Sequence, residues 1–288
     1  MILIDLNQVM ISNLMMQIGQ NNSQVDENLI RHMILNSLRM YNVKFREEFG
    51  EIVICADDKQ YWRKDFFPYY KANRKKAREA SSLNWNLIFE ILNKVRDELK
   101  ENFPYKVIQV SGAEADDIIG ALCHKYGVET LLNENMEKIL ILSSDKDFLQ
   151  LQKFINVFQY SPTMKKFLIE SNPKKFLQEH IIRGDAGDGI PNFLSNDDCF
   201  VNETRQKPIT IKKLNTYIGK NPEDFCDEIM LKHYRRNEQL IDLSKVPNNI
   251  QLKIYDAFEN KSNYGKDKLL NYFIKHRMKL MIQYIQEF

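Results

Sequence analysis

The sequence predicts an α/β protein with a doubly wound, mostly parallel β-sheet, and two features of the chain support this fold class. Short continuous runs of Ile, Leu and Val recur along the sequence, as is typical of strands buried on both faces of a parallel sheet. Between these runs lie segments whose apolar residues repeat at helical spacing. The alternation of strand and helix predicts one sheet with helices on both of its faces.

Five apolar runs are predicted to be the strands of this sheet, and they cover residues 2–4, 52–56, 107–110, 139–142 and 155–160. Predicted helices in the same part of the chain include residues 29–38, 85–99 and 118–122. From about residue 181 the strand pattern ceases, and helical spacing recurs at residues 212–217, 224–234 and 268–284. The sequence thus predicts an α/β domain over residues 1–180 and a helical domain over residues 181–288.

The overall composition is that of a soluble globular protein. The chain has 288 residues, of which 43% are hydrophobic and 28% charged, and its net charge of +2 does not by itself indicate a nucleic-acid partner. No run reaches the roughly 20 apolar residues of a membrane span, and the first residues do not resemble a signal peptide. The four cysteines lack metal-binding spacing, so we expect reduced thiols and a cytoplasmic protein.

Acidic residues follow four of the five predicted strands. In an open parallel sheet, ligands bind beyond the carboxyl ends of the strands, so these acids are expected to meet at one rim. Carboxylates without His or Cys neighbours favour Mg²⁺ or Mn²⁺, and their crowding predicts a two-metal site with ions about 4 Å apart. The acids in question are Asp5, Asp57, Glu114, Asp116, Asp117, Asp145 and Asp147.

Each acid also has a purely structural interpretation. An Asp after a strand often caps a helix or a turn, which suits Asp5 and Asp145 taken singly. Asp116 and Asp117 suit the first turn of a helix, where negative charge is stabilising. These structural interpretations are independent of one another, and all of them would have to hold at once to explain acids at four strand ends. A shared metal site explains the four positions together and is therefore favoured.

The segment of residues 59–78 is strongly basic and aromatic. It contains eight Lys or Arg residues, one Asp and six aromatic residues, and it follows Asp57 almost directly. Basic side chains bind phosphates and aromatic rings stack on unpaired bases, so the segment predicts a nucleic-acid contact beside the acidic rim. The alternative is a solvated basic helix whose aromatic residues face the core.

Taken together, the motifs resemble the 5′-nuclease or flap endonuclease superfamily, and within it the ribonucleases H of T-even phages. The resemblance implies a 5′-to-3′ exonuclease and flap endonuclease that cleaves duplex DNA or RNA·DNA hybrids at a 5′ end or flap and removes RNA primers during replication. The matching stretches occur in the family's order and read L-I-D at 3–5, I-C-A-D at 54–57, Y-W-R-K-D-F at 61–66, Y-Y-K-A-N-R-K-K-A-R-E at 69–79, E-A-D-D at 114–117, S-S-D-K-D-F at 143–148 and G-D-A-G-D-G-I at 184–190.

The resemblance also implies roles for individual residues. The first metal ion would be held by Asp5, Asp57, Glu114, Asp116 and Asp145, and the second by Asp147, Asp185 and Asp188, with Asp117 supporting them. A basic arch at about 59–84 would contain the active-site Lys71, and Tyr70 would stack on the terminal nucleotide. Further phosphate contacts would come from Arg63, which is also a catalytic candidate, and from Arg74, Lys75 and Arg78.

The segment from Gly184 to Ile190 would begin a helix–turn–helix-like element that grips duplex DNA and binds K⁺. By the same analogy, a single-strand-binding protein and a sliding clamp are expected partners of a monomer that works in the cytoplasm, which is the host's if the chain is viral. Three alternatives stay open: a PIN-like ribonuclease, an aspartyl-phosphate phosphatase, and a branched-DNA-binding protein without catalysis. The first would lack the basic arch and the G-D-x-x-D segment, the second would require D-x-D where this chain has D-L-N, and the third should have lost acids or Lys71.

Overall fold

The computed structural model describes residues 1–21, 26–81, 83–130, 136–260 and 266–288. A six-stranded sheet with the order β3-β2-β1-β4-β5-β6 forms its centre, and all neighbouring strands are parallel except the β5–β6 pair. The predicted mostly parallel, doubly wound α/β class is therefore confirmed. The strands are β1 Ile2–Asp5, β2 Ile52–Cys55, β3 Lys106–Ile108, β4 Ile139–Leu142, β5 Val157–Ser161 and β6 Lys166–Leu168.

The strand register explains why the acids meet. Asp5 at the end of β1 lies opposite Cys55 at the end of β2, and Ile4 lies opposite Leu142 at the end of β4. The segments that follow these strands therefore leave the sheet at the same edge. The antiparallel β6 was not predicted, because its three residues are mostly exposed and it forms only by pairing back onto β5.

Helices cover both faces of the sheet. In the first part of the chain they are α1 Leu6–Asn21, α2 Glu27–Phe49, α3 Trp62–Phe66, α4 Ala72–Glu79, α5 Trp85–Asn102 and α6 Ala115–Tyr126, together with a 3₁₀ helix at Lys146–Lys153. The later helices are α7 Pro173–Arg183, α8 Ile211–Tyr217, α9 Glu228–Ile241, α10 Asn248–Glu259, α11 Asp267–Lys275 and α12 Lys279–Ile282. In the described part of the chain, no helix combines the length and the apolar character that a membrane span requires.

Three apolar clusters hold these elements together. The first covers one face of the sheet with α1, α2, α5 and α11, and the second covers the opposite face with α6 and α10. The third joins the end of α3 and the following turn to α7, α8 and α9. The boundary predicted at 180/181 falls inside α7, and the chain after α9 returns to the sheet.

Buried polar contacts support this return of the chain. Arg31 of α2 is only 1% exposed, and its Nε donates to Glu98 of α5 at 2.7 Å. The Tyr272 hydroxyl of α11 donates to the same carboxylate at 2.7 Å. Since a buried charge is tolerated only when it is paired, this network fixes the mutual positions of α2, α5 and α11.

Candidate active site

Asp5 and Asp57 form the first part of the acidic rim. The backbone N–H of Gln8, in the first turn of α1, donates to Asp5 Oδ1 at 3.1 Å. Asp57 accepts hydrogen bonds from the backbone N–H of Ala115 at 2.7 Å and from Asn7 Nδ2 at 2.6 Å. Two helix N-termini thus orient these carboxylates, which is where negative charge is most favourable.

Asp116 and Asp145 complete this first group. Burial, followed by the charges of Asp57 and Asp145, raises the pKa of Asp5 to about 7. The pKa of Asp116 is likewise raised well above its ordinary value. Burial is the largest cause, and the charges of Asp145 and Asp5 come next. These effects mean that the other three carboxylates of this group each lie within electrostatic reach of Asp5.

A second group of acids begins at the 3₁₀ helix after β4. Asp145 caps this helix by accepting from the backbone N–H of Asp147 at 3.0 Å. Burial, followed by the charge of Asp145 and with smaller contributions from Asp188 and Asp185, raises the pKa of Asp147 to about 7. The two groups are therefore continuous through Asp145 and Asp147.

His180 of α7 belongs to the second group, although the sequence analysis did not assign it a role. Asp147, His180 and Asp185 each present one ligand atom, and these atoms all lie within 4.8 Å of one another. Burial alone would raise the pKa of Asp185, but hydrogen bonds from His180 and Lys146 lower it well below the ordinary value. The donor set therefore fits a divalent cation.

The acidic rim should make the metal-free protein less stable as the pH rises from about 5 to 7. The pKa values of Asp5 and Asp147 are raised from 3.8 to about 7, so their contribution is complete below pH 3.8 and is lost as the pH passes 7. Mg²⁺ or Mn²⁺ should reverse the loss, because ions bind the deprotonated folded state. Melting temperatures in EDTA and in excess metal measure both effects, and an EDTA value that rises with pH would contradict them.

Glu114 connects the rim to the basic segment. It is 2% exposed and accepts from Lys71 Nζ at 2.6 Å, from Arg63 Nη1 at 3.0 Å and from the Tyr70 hydroxyl at 3.0 Å. Burial alone would raise the pKa of Glu114, but the charges of Lys71 and Arg63 outweigh it and hold that pKa below its ordinary value. The predicted active-site lysine is thus brought to the acids.

The same basic side chains contact the second acidic group. Asp188 pairs with Arg74, lies 3.6 Å from Lys71 Nζ and lies 3.0 Å from the Tyr70 hydroxyl. The backbone N–H of Lys71, whose φ of 56° is left-handed, donates to the carbonyl of Asp188 at 2.7 Å. The predicted basic segment and the G-D-A-G-D loop are therefore joined by backbone and side chains alike.

Arg63 lies in the interior of the protein, and its surroundings differ from those of an exposed phosphate contact. It is 2% exposed, its Nη1 donates to Asp117 at 2.7 Å and its Nε donates to the carbonyl of Leu240 at 2.8 Å. Asp117 is fully buried as well, and it accepts further hydrogen bonds from Trp62 Nε1 at 3.1 Å and from the Glu114 N–H at 2.9 Å. Both residues therefore hold Glu114 in place from the buried side.

The aromatic residues divide between core and surface. Tyr70 is 2% exposed and packs with Phe67 in the third apolar cluster, so its ring has no free face for the predicted stacking on a base. This part of the segment follows the alternative interpretation of an aromatic stripe facing the core. Tyr61 is half-buried instead, and its ring meets that of Tyr70 edge-on at 5.9 Å between centroids.

A cavity of about 500 Å³ lies between the rim and the basic segment. Two acids of the rim line it together with basic and aromatic residues, Tyr61 among them. The predicted phosphate-binding residues Lys75 and Arg78 on α4 are exposed there. The lining residues that matter here are Asp57, Glu114, Tyr61, Lys71, Arg74, Lys75 and Arg78.

Comparisons with known proteins cover the whole chain. The family model described as the 5′-3′ exonuclease N-terminal resolvase-like domain matches residues 1–180. The family model of the phage T4 ribonuclease H C-terminal domain matches residues 173–288. Both models together include every acid of the rim.

Similar proteins include ribonuclease H of Enterobacteria phage T4, which is 34% identical over 297 residues that cover 99% of this chain and 95% of that protein. A 5′-3′ exonuclease of Buchnera aphidicola from Acyrthosiphon pisum is 34% identical over 149 residues, which are 49% of this chain and 46% of that protein. Among solved structures, a phage T5 protein co-crystallised with metal ions has a TM-score of 0.59 and 16% identity, with 90% of this chain and 98% of that one covered. A phage T5 flap endonuclease in complex with DNA and metal ions has a TM-score of 0.57 and 17% identity, with 90% and 97% covered.

Proposed function

The chain belongs to the family of 5′-3′ exonucleases and flap endonucleases, and we propose that it hydrolyses phosphodiesters near the 5′ end or flap of duplex DNA or RNA·DNA hybrids. The observation that carries this proposal is a connected set of acids that reaches, through Asp57 and Glu114, a cavity also lined by Lys and Arg side chains. The phosphate backbone of a nucleic acid in this cavity would meet positive side chains and would also lie beside the acids that are proposed to bind cations.

We further propose that the rim binds two Mg²⁺ or Mn²⁺ ions. Asp5, Asp57, Asp116 and Asp145 would contribute to the first position, with Glu114 held by Lys71 beside them. Asp147, Asp185 and Asp188 would contribute to the second position. Bound divalent ions would supply Lewis-acid activation of water and neutralise charge on the scissile phosphate.

The basic residues have distinct proposed roles. Lys71 stands between Glu114 and the cavity, so its ammonium group is positioned to stabilise charge on a phosphate that enters there. Arg74, Lys75 and Arg78 would contact the strand's phosphates, and Tyr61 replaces Tyr70 as the proposed stacking residue. Arg63 and Asp117 act through Glu114 and are therefore positioning residues.

A second surface supports binding of the duplex. A groove of about 470 Å³ near the end of α7 is lined by Arg183, Arg205 and Lys207 among others. Arg183 directly precedes the G-D-A-G-D loop, so a duplex held at the rim could place phosphates against this groove. We propose that this region binds the duplex, with K⁺ as an additional ion in that segment.

In the cell, we propose that the protein removes RNA primers and flaps during lagging-strand replication, as a monomer in the cytoplasm, which is the host's if the chain is viral. The similarity to a phage ribonuclease H supports this role. A single-strand-binding protein and a sliding clamp are the proposed partners by analogy within the family.

The proposed function is tested with a 5′-labelled flap duplex and an RNA·DNA hybrid, each incubated with Mg²⁺, with Mn²⁺ and with EDTA. We expect cleavage near the flap junction and at the 5′ end of the hybrid, and no cleavage in EDTA. Tight binding of both substrates without cleavage in either metal would overturn the proposal and favour a branched-DNA-binding protein.

Lys71→Gln should slow cleavage by roughly 10²- to 10³-fold, as the loss of one positioned donor does elsewhere. Single-turnover kinetics measure the chemical step, and isothermal titration of Mn²⁺ shows whether metal affinity is retained. Lys76→Gln is the control, because Lys76 is exposed and pairs only with Glu203 among its described contacts. A Lys71→Gln rate equal to that of the unmodified protein would remove Lys71 from the catalytic residues.

A further inference from the structure

The second acidic group contains an imidazole whose position invites a ligand role. His180 is 6% exposed and lies in the last turn of α7, where its Nε2 is 3.1 Å from Asp185 Oδ2. Its Nδ1 lies 3.5 Å from Asp147 Oδ1. The ring thus stands between two carboxylates that come from different elements.

Two atoms of this arrangement have no hydrogen-bond partner. Asp147 Oδ1 and His180 Nδ1 are both buried and both unpartnered, and they face each other. When Nε2–H donates to Asp185, the lone pair of Nδ1 points at a carboxylate oxygen that also bears lone pairs. Two buried acceptors in this relation are satisfied by a shared proton or by a cation that both of them bind.

The spacing suits a metal ion. Ligand atoms about 2.1 Å from an ion and at right angles to each other are about 3 Å apart, while opposite ligands are about 4.2 Å apart. The 3.5 Å separation of Nδ1 and Oδ1 lies between these values, and the three candidate ligand atoms lie within 4.8 Å of one another. Small side-chain shifts would therefore bring all three to one ion.

Other charged groups around the ring leave this position open to a cation. Lys146 Nζ pairs with Asp185 Oδ2 at 2.8 Å and makes no described hydrogen bond to Asp147 Oδ1. Asp188 is occupied by Arg74, Lys71 and Tyr70 on the side of the basic segment. The space between Asp147 and His180 has acidic neighbours and no described cation of the protein in hydrogen-bond contact with it.

We propose that His180 is a nitrogen ligand of the second metal position, so that this position has a mixed carboxylate and imidazole donor set and binds Mn²⁺ in preference to Mg²⁺. The proposal rests on the two-metal site of the proposed function and extends it to a residue outside the acidic motifs. An imidazole favours transition-metal ions, whereas Mg²⁺ prefers oxygen ligands and water. The first position, which lacks a nitrogen donor in its assigned set, should show no such preference.

The direct test uses Mn²⁺ bound to the full chain and needs no nuclease assay. Pulsed electron paramagnetic resonance detects the magnetic coupling between Mn²⁺ and a directly bound nitrogen. We expect a nitrogen coupling that changes when the histidines carry ¹⁵N, and that disappears in His180→Gln. His233→Gln is the matched control, because His233 is equally buried but its Nδ1 contacts the carbonyl of Phe193.

Affinity measurements provide a second readout. In competition titrations, His180→Gln should weaken one of two Mn²⁺ sites by roughly 10- to 100-fold and change Mg²⁺ affinity less. Circular dichroism and melting temperature show whether each variant is folded. If His180→Gln does not fold, the isotope comparison in the unmodified protein still tests the proposal, because the absence of a histidine nitrogen coupling there would overturn it.

The outcomes separate this inference from the proposed function. Two bound Mn²⁺ ions without nitrogen coupling would overturn the imidazole ligand and leave the two-metal nuclease intact. Absence of Mn²⁺ binding at both positions would overturn the metal assignments themselves, and the inference with them. Nitrogen coupling retained in His180→Gln would assign the ligand to another histidine and would also overturn the proposal.

Discussion

Asp145→Asn is expected to reduce phosphodiester cleavage by about 10³-fold or more while leaving the fold and nucleic-acid binding intact. Asp145 lies where the two acidic groups meet, since its charge raises the pKa of Asp5, Asp116 and Asp147. Loss of a metal-supporting carboxylate removes several kcal/mol of charge stabilisation, and each 1.36 kcal/mol is a factor of ten in rate.

An Asn side chain at position 145 should preserve the helix cap that Asp145 provides. Its amide oxygen can still accept from the backbone N–H of Asp147, as the carboxylate does at 3.0 Å. Removal of one negative charge also relieves repulsion in the rim, so the melting temperature in EDTA should rise rather than fall. A loss of activity together with a gain in metal-free stability distinguishes a functional carboxylate from a structural cap.

Single-turnover cleavage in Mg²⁺, substrate binding in EDTA and melting temperature are the three measurements required. Asp58→Asn is the matched control, because Asp58 adjoins Asp57 but accepts from the backbone N–H of Gly112 at 3.1 Å. The control should cleave at the unmodified rate. Unchanged turnover of Asp145→Asn would show that the acidic rim is not the catalytic centre.

Arg63→Met is expected to destabilise the protein by about 3–5 kcal/mol, because it leaves buried acids without their cation. The guanidinium contacts Glu114 and Asp117, which are 2% and 0% exposed, and it also satisfies the carbonyl of Leu240. Met has a similar length and fills most of the space, so the loss reflects charge and hydrogen bonding rather than a large cavity. Asp117, whose pKa burial already raises, should take up a proton in the variant.

Chemical denaturation gives the free energy of unfolding, and Arg46→Met is the matched control. Arg46 pairs with Glu51 at 2.5 Å, but both side chains are exposed, so this substitution should cost no more than about 1 kcal/mol. An Arg63→Met stability within that range would mean that Arg63 does not neutralise the buried acids. Arg63→Lys should also be destabilising, since Lys cannot make the forked contacts of the guanidinium.

The sheet and the rim were predictable because their signals are local. A short apolar run followed by Asp identifies both a buried strand and the side chain at its carboxyl end, and β1 with Asp5 and β4 with Asp145 are examples. Because the strands pair in parallel, their carboxyl ends lie at the same edge of the sheet, and the acids that follow them meet there. The resemblance of ordered motifs added Lys71, which does contact Glu114.

The burial of Arg63 and Tyr70 could not be predicted in the same way. Arg63 lies on a helix of five residues, too short for apolar spacing to identify its inner face. Its partners Asp117 and Leu240 are 54 and 177 residues away in the chain, so only the tertiary fold reveals them. His180 was not predicted because it stands outside the acidic motifs. It is a single imidazole on the helix just before Asp185.

The return of the last helices to the sheet has a consequence for synthesis on the ribosome. All six strands are complete by Leu168, but α10 and α11, which cover opposite faces of the sheet, begin only at Asn248 and Asp267. A nascent chain that has not reached these helices exposes apolar sheet surface and is a substrate for chaperones and proteases. A chain truncated before α10 is therefore expected to aggregate or be degraded sooner than the full chain.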